Sequence, residues 1–85
     1  MELSNTEIAV LKVMHSRKIY GSNHKQLETL MHSGFPKHKY KEVKNAIFSL
    51  MKLGFVQWYD RSRNAIQLNK DKSREIEEII KQDTN

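Results

Sequence analysis

Lys41, Lys44 and Lys52 recur at spacings that place them along one side of an α-helix, with Asn45 and Phe48 among them. A lysine ammonium neutralises a phosphate. An asparagine amide donates and accepts at once, so it can hold one base edge at two points. Lys37, His38, Lys39 and Tyr40 lie just upstream, where such a helix would begin. Further on, Asp60-Arg61-Ser62-Arg63-Asn64 puts Arg61 and Arg63 into one polar loop. Arginine suits a narrow DNA minor groove, where the negative potential is strong. Either feature alone fits an ordinary solvated surface. Together they predict binding to a polyanion. Glu42 interrupts the cationic run, and it could accept from a cytosine amino group or pair with a lysine such as Lys39. Phe48 stands among lysines; coverage by the wing or a partner subunit is the expectation, with contact to a thymine methyl group as the alternative.

Periodicity supplies the elements that position these residues. Ser4-Asn5-Thr6-Glu7 is a capping box ahead of an apolar run and predicts a helix over 5–17. Ile8, Ala9, Val10, Leu11, Val13 and Met14 cover over half its circumference, so it should be packed on more than one side. Lys18-Ile19-Tyr20 reads as a short extended piece ending at Gly21. Ser22 is a plausible cap for a short helix over 23–32, with Leu27, Leu30 and Met31 inward and Gly34 ending it in a left-handed conformation. A third helix over 39–53 turns Val43, Ala46, Ile47, Leu50 and Leu53 to the core and stops at Gly54. Strands over 55–59 and 65–69 flank the arginine loop as a hairpin. The last helix, over 73–82, lines up Ile76, Ile79 and Ile80, and residues 83–85 should fray.

Composition bounds the rest. The 85 residues fit one small domain, 38% of them hydrophobic and none cysteine. No disulfide or thiolate metal site can contribute. Mean hydropathy is −0.74, and no run approaches the roughly 20 apolar residues of a membrane span. The stretch MELSNTEIAV has no basic segment before an apolar one. No secretory signal and no membrane partner are therefore expected, but a cytoplasmic, nucleoid-associated location. The net charge of +5 is unevenly spread: residues 37–74 hold ten basic and three acidic side chains, net +7, while 75–85 hold one basic and four acidic, net −3. That asymmetry favours an anionic partner.

Other chemistries find little support. His15, His24, His32 and His38 do not converge: only His24 and His32 fall in one predicted helix, and eight residues separate them. No metal site is expected. The glycines are Gly21, Gly34 and Gly54, so there is no glycine-rich phosphate loop. No nucleophile–base–acid set can be argued, and neither a cofactor nor an enzymatic activity is expected.

The order helix, short strand, helix, helix, strand, basic loop, strand, helix resembles the winged helix-turn-helix family over almost the whole chain. The resemblance rests on Leu27, Leu30 and Met31, on Val43, Ile47 and Leu50, on Gly54-Phe55-Val56, and on Ile66-Gln67-Leu68-Asn69-Lys70. It implies an α+β, mostly helical fold: a three-helix helix-turn-helix core, a β-hairpin wing and a C-terminal helix. It further implies binding to double-stranded DNA as a small transcription regulator, with the third helix in the major groove and the wing on the flanking backbone or minor groove. Lys37, His38, Lys39, Tyr40, Lys41, Lys44, Asn45, Phe48, Lys52, Arg61 and Arg63 would form the contact surface. Winged helices also serve as protein-docking modules, and a structured RNA is a further possible partner. Val10, Met14, Ile76, Ile79 and Ile80 would pack the last helix on the first, closing a monomer or joining a homodimer across a two-fold axis.

Overall fold

The structure, a computed structural model, describes residues 2–84. Local signals set its first turn. The Ser4 hydroxyl accepts from the Glu7 N–H at 3.1 Å, and Glu7 Oε1 accepts from the Ser4 N–H at 2.7 Å. This capping box starts α1, Asn5–Ser16. Val10, Leu11 and Met14 are buried, and α1 packs on both α3 (Tyr40–Lys52) and α4 (Ser73–Thr84). The wide apolar arc of α1 is thus used on two sides.

The chain between α1 and α3 departs from the sequence expectation. Lys18-Ile19-Tyr20 forms no strand: Lys18 is left-handed, with φ 53°, and Ile19 is buried with its carbonyl accepting from the Leu68 N–H at 2.9 Å. Strand β1 is Lys25–Gln26, inside the stretch expected to be helical. It pairs antiparallel with Ile66 and Ala65 of β3, Ala65–Leu68. Leu27 extends the contact by donating to the Asn64 carbonyl at 2.8 Å. Sheet pairing here overrides helix propensity, and α2 is shortened to Leu27–Gly34. Ser22 caps nothing in α2; it sits in a single 3₁₀ turn, Gly21–Asn23. Leu27, Leu30 and Met31 still form the buried face.

Gly34 also has a different role from the expected one. It remains helical, and extended Phe35, φ −142°, follows it. A Cβ at Gly34 would stand 3.2 Å from Val13 Cγ1, so the missing side chain lets α2 approach α1. Gly54 does take the left-handed conformation, with φ +86°. Phe55 N–H reaches the Leu50 carbonyl at 3.0 Å and Gly54 N–H the Met51 carbonyl at 3.1 Å. That is the Schellman pattern of helix termination, with both Leu50 and Phe55 buried over it.

Strand β2, Val56–Asp60, leaves this turn and pairs antiparallel with β3, giving the sheet order β1-β3-β2. Trp58 faces Ile66 and Asp60 faces Ala65, so Tyr59 is an extra residue in a bulge. Over the described residues the fold is α+β and mostly helical, with four α-helices and a small three-stranded antiparallel sheet. One apolar cluster runs from α1 through α2, α3 and the sheet to Ile76 of α4. The expected fraying of residues 83–85 is not seen where the chain is described: α4 runs to Thr84, and Asp83 pairs with Lys12 of α1. Asn85 lies outside the described residues.

Candidate nucleic-acid interface

Helix α3 separates its two faces cleanly. Val43, Ala46, Ile47 and Leu50 are buried, while Lys41, Lys44, Asn45, Phe48 and Lys52 are exposed. Lys37, His38 and Lys39 form an exposed 3₁₀ turn leading into the helix. Tyr40 is half-buried, its ring stacked on His32 at 4.9 Å between centroids. The start of α3 is therefore braced against α2.

One edge of α3 is tied to the first turn of α1. The Ser49 hydroxyl donates to Glu7 Oε2 at 2.6 Å, so Glu7 serves the capping box with one oxygen and α3 with the other. The Ser49 hydrogen bond, followed by that from the Ser4 backbone, holds the Glu7 carboxyl below its ordinary pKa against the opposing effect of burial. Thr6 Oγ1 donates to Glu42 Oε2 at 2.9 Å, and Lys39 Nζ lies 3.8 Å from the same oxygen. The expected pairing of Glu42 with Lys39 is thus present. Glu42 and Ser49 stand seven residues apart, two helical turns, so the ties set both tilt and rotation of α3.

The hairpin reaches the same side of the molecule. Phe48 retains 38% exposure, and its ring lies 6.4 Å from that of Trp58 on β2, tilted by 47°. The Arg61 guanidinium stands over the other ring of this pair, 5.9 Å from the Trp58 centroid. Phe48, Trp58 and Arg61 thus connect α3 to the hairpin tip. Arg63 differs, with Nε 3.6 Å from Asp60 Oδ2. Asp60 also accepts from the Ser62 hydroxyl at 2.6 Å and the Ser62 N–H at 3.1 Å, which keeps its carboxyl ionised below the usual range and shapes the loop. Asn64 closes the tip in a left-handed conformation, φ 53°.

Sequence reasoning named the cations but missed what holds them. Trp58 falls within the strand expected over 55–59, and nothing local marks it as a bridge to α3. In sequence, Thr6 and Glu7 fall in the capping box alone and Ser49 carries no signal, because their partners are 36 to 42 positions away. The histidine pairing also needs correction. His24 and His32 do not share a helix: His24 precedes β1 and stacks on Tyr59 at 3.9 Å, while His32 belongs to α2. Among the described residues, no group of three potential metal ligands converges. No described helix is long and apolar enough to cross a membrane.

Val10, Met14 and Ile76 are fully buried, and Ile79 and Ile80 are half-buried against the same cluster. The isoleucine stripe therefore packs within the chain. Beside it lies an open cleft lined by Leu3, Ile8, Phe55 and Ile79 with the polar Glu2, Gln82 and Asp83. The acidic residues Glu75, Glu77 and Glu78 are exposed on α4. No protein-family model, curated protein or solved structure matches this chain.

Proposed function

We propose that this chain is a winged helix-turn-helix module that binds double-stranded DNA as a small transcription regulator. In this reading α2 and α3 form the helix-turn-helix, β2 and β3 form the wing, and α4 is the C-terminal addition. Lys41, Lys44, Asn45 and Phe48 enter the major groove. Lys37, His38, Lys39, Tyr40 and Lys52 lie toward the phosphates. Arg61 and Arg63 engage the flanking backbone or minor groove. The observation that carries the reading is the Phe48–Trp58–Arg61 chain of ring contacts, which joins the exposed cationic flank of α3 to the arginine-bearing hairpin. Helix α4 packs on α1 and leaves that flank open. A homodimer on a two-fold operator would use the Leu3, Ile8 and Ile79 cleft, since Val10, Met14 and Ile76 are taken up inside the chain.

A salt titration on duplex DNA tests the reading. With about five phosphates neutralised, log affinity falls against log salt with a slope of about −4.5. Absence of duplex binding at low salt would remove the proposal. Duplex RNA, whose deep major groove excludes a helix, should bind more weakly than DNA at equal salt.

A further inference from the structure

We infer that the ligand of Phe48 is the 5-methyl group of thymine, and that Asn45 and Phe48 together select an A·T-containing step. This rests on the duplex-binding reading above and goes further by naming the bases.

Phe48 and Tyr59 are the large hydrophobic side chains left exposed among the described residues. Tyr59 is stacked by His24 and belongs to the sheet. Phe48 instead stands on the helix flank that carries Lys41, Asn45 and Lys52. A phosphate gains nothing from an aromatic ring; Trp58 covers part of Phe48 and leaves 38% of the residue open on the cationic flank. Base edges in the major groove display one apolar group, the thymine methyl, and phenylalanine is among the side chains that contact it.

The spacing supports a paired reading. Asn45 and Phe48 are i and i+3 on one helix face, about 4.5 Å apart along the axis. That is close to the base-pair rise of about 3.4 Å. Asparagine's bidentate partner in the major groove is adenine. An Asn45 seated on adenine therefore brings Phe48 to the neighbouring pair. The Phe48 ring is not free to fold away from the groove, because Trp58 flanks it on the hairpin side. The Thr6–Glu42 and Ser49–Glu7 hydrogen bonds hold the rotation of α3 from its other edge. On the same reading, the hairpin is compatible with that base composition. Narrow minor grooves, which attract arginine, are a property of A-tracts, and Arg61 sits at the end of the ring contacts from Phe48.

The test compares two alternating A·T duplexes that differ only in carrying thymine or uracil, bound by the full chain at one salt concentration and read by fluorescence anisotropy. Burying one methyl group corresponds to about fourfold tighter binding of the thymine duplex. Phe48→Ala should abolish that difference while keeping the salt slope, and Phe48→Leu should retain most of it. Equal affinity of the wild-type chain for the two duplexes, with salt-dependent binding intact, overturns the methyl assignment and leaves duplex binding standing. A thymine preference that persists in Phe48→Ala places the methyl contact elsewhere and also overturns it. No binding to either duplex at low salt overturns both the assignment and the reading beneath it.

Discussion

Helices α3 and α4 bury the same kind of surface and expose opposite charge. Helix α3 sends Val43, Ala46, Ile47 and Leu50 inward, and α4 sends Ile76. Outward, α3 carries Lys41, Lys44 and Lys52, while α4 carries Glu75, Glu77 and Glu78. Burial of apolar area is indifferent to the sign of whatever lies on the far side of a helix. The core therefore gives no reason for this segregation, and mixed signs would serve solubility as well. Separated charge makes the molecule electrically polar. On the proposed reading it would favour approach to DNA with α3 and the hairpin leading and α4 trailing.

The sharpest way to separate the two helices is to remove what each does best. Ile76→Ala deletes a fully buried side chain of α4 and should cost about 3 kcal/mol in chemical denaturation. A loss below about 1 kcal/mol would mean that α4 is not part of the cooperative core. Reversing charge on α3 with Lys44→Glu and Lys52→Glu should leave the melting temperature nearly unchanged and weaken every duplex by more than about tenfold. The matching reversal on α4, Glu75→Lys with Glu78→Lys, should weaken none. Equal effects of the two reversals would abolish the distinction between the helices. Within α3, Asn45→Ala should relax preference at one base pair by about 1 to 3 kcal/mol, whereas Lys44→Ala lowers affinity by about 1 kcal/mol on all sequences. Uniform loss for Asn45→Ala would deny it a reading role.

The smallest effect concerns how α3 is held. Ser49→Ala removes the hydroxyl bonded to Glu7 and should cost about 1 kcal/mol at neutral pH. Glu7 titrates below its unfolded value in the folded chain. The bond therefore contributes fully above about pH 4.3, the unfolded glutamate value, and is lost as pH falls through the lower folded pKa. Melting curves of wild type and Ser49→Ala should converge in acid. A gap that stays constant across that range would show that the hydroxyl stabilises by packing alone.

The legible parts of this fold share one property: their causes lie within a few residues. The Ser4–Glu7 box, the two faces of α3 and the stop of α3 at Gly54 all depend on local hydrogen bonds and helical spacing. The exposed lysines of the candidate site were legible for the same reason. Gly34 misled because a glycine near a helix end serves equally for a left-handed cap and for close packing. Only the position of Val13 decides between them. Ser22 misled because serine favours helix N-caps, whereas here it lies in a 3₁₀ turn and Lys25–Gln26 after it pair with β3.

By itself, then, the sequence determined which faces of the helices are apolar, where α1 and α3 begin or end, and that the middle of the chain is cationic. These follow from periodicity, capping and charge, all short-range properties of the chain. Tertiary structure alone decided that Lys25–Gln26 pairs with β3 and that Thr6 and Glu7 hold α3. It also decided that Trp58 bridges Phe48 to Arg61. Each of those contacts joins residues from different elements. Their geometry exists only after the core has closed and fixed the distances between those elements.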